Sequence, residues 1–334
     1  REGARGGGGG DADGCLVLGS IDDAKAALLA ALHQGLIGQV DGASAVLVVD
    51  VGARLTQATL FDLAANPAAR GGGAGCEAAG EPTEPLSPPV AAAASARVGF
   101  DSVTWALADY LADFFLEQAS ERASVGAPSG AASGAASGSP LVSDPRLDPL
   151  ALQRLFQAAE DAATGPLSTG TEAKVHLPFV GLSLATMQPE HLDATVTRGR
   201  LASVAEPALR AITAPIAKCL DAATAAAAAA ASADDDAADA ATAEPAADGA
   251  GWLGRVGCVL LVGGGARSTH VRAAVEAAVA RALGVDQKER TAGRTSSGEA
   301  TAQGTPPFRL VVPQAPEELT VLGAALAAKH GWVS

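Results

Sequence analysis

Two stretches of this sequence carry residue types whose spacing could do chemistry. The first is Asp50-Val51-Gly52, at the end of the apolar run AVLVVDV. An Asp that closes an apolar strand beside a glycine can direct its carboxylate at a hydrated metal, while the glycine lets a phosphate approach the backbone. Alone, Asp-x-Gly also fits an ordinary hairpin turn. The second is Gly263-Gly264-Gly265-Ala266-Arg267, directly after VGCVLLV and before a helical pattern. Glycines there let a flat ligand or a phosphate lie against the backbone, and the helix N-terminus offers N–H donors. No Gly-Lys-Ser/Thr follows, so this is not a P-loop, and the spacing does not fit the dinucleotide fingerprint. A generic strand-to-helix turn has the same look. Gly323-Ala324-Ala325 is read as a packing surface. The five histidines are scattered without ligand spacing, and no nucleophile elbow or HExxH is present, so no metal ligand or general base is nominated among them.

The elements that must position these residues alternate along the chain. CLVLGSI reads as a strand and AKAALLAALHQGL as a helix; AVLVVDVGARLTQATLFDL reads as a hairpin turning around Gly52 to Thr56. In SVTWALADYLADFFLEQ, Trp105, Leu107, Leu111, Phe114 and Phe115 recur at helical spacing, which predicts a core-facing stripe. Residues 148–163 repeat the helical pattern, and KVHLPFVG reads as a strand. Thr197 is placed to N-cap a helix from about Arg198 to Leu220, with Pro207 and Pro215 expected to kink or divide it. A buried strand, the glycine turn and a helix follow, then the short strand FRLVVP and a last helix in PEELTVLGAALAAKH. The alternation predicts mixed α/β architecture.

Five stretches lack apolar periodicity and are expected to be disordered low-complexity segments: 1–14, about 65–96, 119–145, 221–250 and 286–306. The chain has 334 residues, of which 48% are hydrophobic but only 3% aromatic, so the core must come from a few Val/Leu-rich runs. A formal charge of -14 disfavours a non-specific nucleic-acid surface, which is built from Lys and Arg. The run Asp234-Asp235-Asp236 is expected to be solvated. No run approaches the length needed to span a bilayer. Cys15, Cys76, Cys219 and Cys258 show no CxxC or metal spacing, which suits a reducing, cytoplasmic compartment, with Cys219 and Cys258 as small buried hydrophobes.

In chain order, from about Leu16 to Ala328, these pieces resemble the second half of the ATPase domain of the heat-shock-70 chaperone family, within the actin-like ATPase (ribonuclease H-like) fold. AVLVVDVGARLTQATLFDL is similar to the family's second phosphate segment, Asp-Leu-Gly-Gly-Gly-Thr followed by Phe-Asp. VGFDSVTWALADYLADFF resembles the Gly-Gly loop and helix after it, and TVTRGRLASVAEPALRAITAPIAKCL the Ser-Ile-Thr-Arg-Ala-Arg-Phe helix. VLLVGGGARSTHVRAAV is similar to the adenosine segment Val-Leu-Val-Gly-Gly-Ser-Thr-Arg-Ile-Pro, and PEELTVLGAALAA to Pro-Asp-Glu-Ala-Val-Ala-Tyr-Gly-Ala-Ala.

The resemblance implies that Asp50 is the metal-facing acid and the catalytic candidate, and that Gly52 and Gly99 lie on the phosphate side. Glu160, Ser168, Gly263, Gly264, Gly265, Arg267 and Glu317 fall on the adenosine side. The pattern is broken at Ala53, Arg54 and Leu55, which stand for Gly-Gly-Thr, and at Gln57, which stands for a second metal-facing Asp. Phe100 replaces a glycine, and Ala163 and Thr164 replace a basic pair. The resemblance therefore implies ATP or ADP held mainly by its adenosine side, magnesium without its usual ligand set, and hydrolysis weakened or lost. The first phosphate hairpin and the catalytic Lys have no counterpart in residues 1–14, and the peptide-binding domain has none after the last helix. The expected role is a divergent ATP-binding cochaperone, working with a J-domain or ribosome-associated partner and with unfolded or nascent polypeptide. Two other readings stay open: an active ATPase whose first half lies upstream, and a nucleotide-free interaction module.

Overall fold

The computed structural model describes residues 20–37, 45–64, 86–125, 142–184, 187–234, 252–285 and 308–333. Chain order runs α1 (Asp23–His33), β1 (Ala45–Val51), β2 (Leu55–Asp62), β3 (Ala91–Ala96), α2 (Phe100–Val125), α3 (Pro149–Thr164), β4 (Glu172–Leu182), β5 (Pro189–Thr197), α4 (Arg198–Val204), α5 (Glu206–Asp234), β6 (Val256–Val262), α6 (Thr269–Ala282), β7 (Arg309–Val311) and α7 (Leu319–His330). Short helical turns occur at Pro145–Leu147, Pro166–Thr169, Trp252–Arg255 and Gly264–Arg267.

Five strands form one mixed sheet in the order β3-β2-β1-β6-β7. The β1–β2 hairpin is antiparallel from Ala45↔Asp62 to Val51↔Thr56, β3 continues antiparallel on β2, and β6 and β7 join parallel. Both sheet faces are covered, which is why β1 and β6 read as nearly unbroken apolar runs rather than alternating ones. Successive side chains go to opposite faces. Leu47, Val49 and Val51 enter the larger core with α2, α3, α5 and α6; Val46 and Val48 enter a smaller one with α1 and α7. β6 divides likewise, with Val259 and Leu261 on the first face and Cys258 and Leu260 on the second.

The second face depends on small residues. Asp22 caps α1, its carboxylate accepting from the N–H groups of Ala24 and Lys25 at 3.0 and 3.2 Å. In α1, residues Ala26, Ala27 and Ala30 are fully buried. A Cβ on Gly323 of α7 would overlap the Ala26 carbonyl, so Gly323 serves close helix packing, whereas Ala324 is half-buried and Ala325 exposed.

Away from the sheet, β4 and β5 form an antiparallel pair that packs on α2 and α3. Thr197 caps α4 as expected, accepting from the N–H of Arg200 at 3.2 Å. The helix divides at Ala205; Pro207 then sits in the first turn of α5, where its missing N–H costs nothing, and Pro215 is carried inside α5.

Several expectations are corrected. The segment 65–96 contains β3 at its end: AAAASA carries no β-forming side chains, yet it pairs with β2 and is covered by α5. The segment 119–145 begins inside α2, which runs to Val125, and ends on a packed stretch where Val142 bridges Ser183. The segment 221–250 begins inside α5, which continues to Asp234 because alanine is the best helix former; Ala223 is fully buried. Asp234 is thus helical. Residues 1–14 and 286–306 lie outside the described residues, as does CLVLG of the first expected strand; Ser20 and Ile21 are not in a strand. Leu107, Leu111 and Phe115 form the α2 stripe, with Phe114 half-buried beside it. Trp105 is 42% exposed and stacks obliquely on Phe156 of α3 at 4.6 Å between ring centres, because it falls just outside the buried stripe of α2. No helix among the described residues is long and apolar enough to cross a membrane. Cys219 and Cys258 are buried free thiols, each pushed up to about 11 by burial.

Candidate functional site

The hairpin tip and the glycine turn, far apart in sequence, meet at the end of β1. Gly263 has φ 84° and ψ 164°, a backbone region open to glycine, and a Cβ there would overlap the Asp50 carboxylate and the Val51 carbonyl. Gly265 is buried, and a Cβ on it would press on the Val51 side chain. Both glycines therefore seat the turn on β1. Gly264 is different: a Cβ there would meet nothing within 4 Å. The Gly263 N–H donates to the Pro316 carbonyl at 3.1 Å, which fixes the segment leading into α7 beside the turn.

That link brings Arg267 and Glu317 together in a two-point ion pair, with Nε donating to Oε2 at 3.2 Å and Nη2 to Oε1. The side chains are 59% and 33% exposed, so the pair orients the guanidinium more than it stabilises the fold. Across from them stands the end of α3. A cleft of about 400 Å³ is lined by Gly264, Gly265 and Arg267 of the turn, Glu317 before α7, Gln157, Glu160, Asp161 and Thr164 of α3, and Ala53, Phe100 and Asp101. Gln157 donates to Asp161 Oδ1 at 3.2 Å, and the Thr164 hydroxyl to the Glu160 carbonyl at 2.8 Å.

Asp50, the last residue but one of β1, falls on the α1 side of the sheet. Burial, and then the negative charge of Asp23 at the start of α1, raise its carboxyl from 3.8 to about 6. Asp23 was not singled out from the sequence; an acid in the first turn of a capped helix is so common that nothing marks it. In the ladder Asp50 stands opposite Gln57, whose amide donates to the Thr59 hydroxyl at 3.2 Å. Among the described residues no group of three or more His, Cys, Asp or Glu is gathered to hold a metal ion.

The tip itself is used internally. Gly52 N–H closes the turn on the Leu55 carbonyl at 2.9 Å. The carbonyls of Gly52 and Ala53 accept from the N–H groups of Phe100 and Asp101 at 2.9 and 2.8 Å. Those are among the first donors of α2, the groups an anion at a helix N-terminus would use. Gly99 allows this docking, since a Cβ there would lie 2.5 Å from the Ala53 carbonyl oxygen. Phe100 is buried in the larger core.

Ser168 lies outside the cleft. It is buried, its hydroxyl donates to the Ala163 carbonyl at 2.9 Å, and its own carbonyl accepts from Arg198 at 3.1 Å. Arg198 also reaches the Thr269 hydroxyl at 2.5 Å, and its carbonyl lies 3.3 Å from His270 Nε2. Burial, with Arg198 close by, lowers the pKa of His270, whose Nδ1 is buried without a partner. The neutral ring with its proton on Nε2 satisfies this geometry.

The structure thus brings together Asp50, Gly52, Gly99 and the glycine turn at the end of β1, and Glu160, Gly264, Gly265, Arg267 and Glu317 around the cleft. Chemically, the cleft offers a guanidinium face for stacking a flat ring and carboxylates that accept from hydroxyl groups.

The family model described as Hsp70 protein matches residues 140–231, a stretch that includes Glu160 and Ser168. Chaperone protein DnaK of Thermus thermophilus is 36% identical over 77 residues, 23% of this chain and 12% of that one. DnaK of Deinococcus radiodurans is 35% identical over 80 residues, 24% of this chain and 13% of its own length. DnaK of Stenotrophomonas maltophilia is 40% identical over 80 residues, 24% and 12% respectively. The chain therefore spans 12–13% of the length of these relatives.

Proposed function

We propose, from the premise that this chain carries an Hsp70-family region within an actin-like ATPase fold, that it is a divergent nucleotide-binding cochaperone that holds the adenosine moiety of ATP or ADP and hydrolyses ATP weakly or not at all. The observation that carries this reading is the Arg267–Glu317 pair, set on the glycine turn and facing Glu160 across the cleft. The guanidinium, held edge-on by Glu317, leaves a face on which adenine can stack, and Glu160 can accept from ribose hydroxyls.

The phosphate side argues in the other direction. Phosphoryl transfer depends on positioning and on cationic stabilisation of the transferring group. Here the first N–H donors of α2 already serve Gly52 and Ala53, Gln57 gives a neutral amide where charge is needed, and among the described residues the cleft lining contains no lysine. Asp50 and Asp23 are the acids beside the tip, but the residue opposite Asp50 in the ladder is Gln57, which adds no charge for a hydrated magnesium ion. These residues do not fit a magnesium triphosphate, so no hydrolytic step is derived from them.

On this reading the chain works in the cytoplasm beside a J-domain or ribosome-associated partner and assists unfolded or nascent polypeptide, roles drawn from the family rather than from the cleft. The test is calorimetric titration of the purified chain with ATP in magnesium and then in EDTA. Binding of similar strength in both supports an adenosine-side site. Strictly magnesium-dependent binding overturns the loss of the metal site and returns the chain to the active ATPases.

A further inference from the structure

We infer that this cleft is selective for an uncharged nucleoside, and that each phosphate added to the ligand weakens binding instead of strengthening it. The inference rests on the adenosine reading above and concerns what the same cleft does with charge.

Among the described residues the lining carries four carboxylates, Asp101, Glu160, Asp161 and Glu317, against one guanidinium, that of Arg267. That guanidinium is already engaged at two points by Glu317. Thr164, the last residue of α3, also lines the cleft, so the negative end of that helix dipole faces the ligand. The positive end of α2, which could have compensated, is covered by the carbonyls of Gly52 and Ala53 and carries Asp101 in its first turn. Beyond the tip, Asp50 and Asp23 add two more acidic groups. Among the described lining residues the fixed charges therefore repel a polyphosphate chain, except Arg267, which Glu317 already holds; the exposed Arg54 at the hairpin tip is not among them. A nucleoside meets the same groups differently. Its base stacks on the guanidinium face, its hydroxyls donate to carboxylates that have spare lone pairs, and nothing on it is repelled. About 400 Å³ lies within the usual range of small-ligand sites, ~300–1,000 Å³.

The experiment is calorimetric titration of the full chain with adenosine, ADP and ATP in EDTA, at low salt and again at ~0.5 M salt, where exposed charges are screened beyond a few ångströms. Adenosine is expected to bind at least tenfold more tightly than ATP at low salt, with ADP between them and the gap shrinking severalfold at high salt. The double variant Asp101→Asn, Asp161→Asn, checked for folding by circular dichroism, is expected to narrow the ratio of adenosine affinity to ATP affinity severalfold at low salt, and an unchanged ratio overturns the inference. ATP binding as tightly as adenosine, or more tightly, overturns this inference and leaves the adenosine reading standing. Failure of all three ligands to bind a folded chain overturns both.

Discussion

Asp50 and Gln57 stand directly opposite one another in the β1–β2 ladder, so an acid and an amide share the sheet face where the resemblance implies two acids. This pairing bears directly on metal binding.

Replacing Gln57→Asp puts a second carboxylate across from Asp50. The variant is expected to lose about 1 kcal/mol in EDTA through like-charge repulsion, and to regain it with millimolar magnesium, while the parent chain responds little to the metal. Thermal unfolding of both proteins with and without magnesium checks this; equal responses would remove Gln57 as an obstacle to magnesium beside Asp50.

The raised carboxyl of Asp50 predicts a pH dependence. The folded chain keeps this proton up to about pH 6, whereas an unfolded chain releases it near 3.8. Between those values the folded state holds the extra proton, so stability falls as pH rises through the window and stays low above it. Asp50→Asn is expected to be more stable than the parent by on the order of 2 kcal/mol at pH 7.5 and no different at pH 3.5. Urea unfolding of the pair isolates this effect, because the opposite contribution of His270, lost as pH falls below its ordinary value, is common to both proteins.

The glycine turn offers a contrast within three residues. Gly263→Ala forces a non-glycine residue to φ 84° and drives its Cβ into Asp50 and Val51, and is expected to cost ~2–4 kcal/mol. Gly264→Ala meets open space and is expected to cost under about 1 kcal/mol. Denaturation midpoints of the two variants measure the difference.

Gly323→Ala tests the α1–α7 contact. The added methyl overlaps the Ala26 carbonyl, so the helices must part, at an expected cost of ~1–3 kcal/mol and with faster amide exchange in α1.

How much of this was legible in the sequence varies with the physics of each element. The β1–β2 hairpin, β6 and the Thr197 cap follow from local pattern, since apolar runs bounded by glycine and a capping hydroxyl act within a few residues. The meeting of Asp50 with Gly263 was legible only as two separate turns. β3 was missed because AAAASA has no strand signal of its own; its pairing with β2 and its cover by α5 are tertiary. The far end of α5 was missed because its alanines read as low complexity, although alanine is also what a helix tolerates best. Ser168 matched a motif but faces inward, and Asp23 matched nothing that could be noticed before the fold placed it beside Asp50.

The parallel pairing of Val46 with Cys258 joins strands separated by more than two hundred positions. At ~5–20 residues per second of synthesis, one edge of β1 waits on the order of 10–40 s for its neighbour, while the β2 edge is satisfied almost at once. During that interval a half-built, strongly apolar sheet presents a row of unpaired peptide groups. The order of strands in this fold therefore leaves one edge of β1 open until β6 has been made.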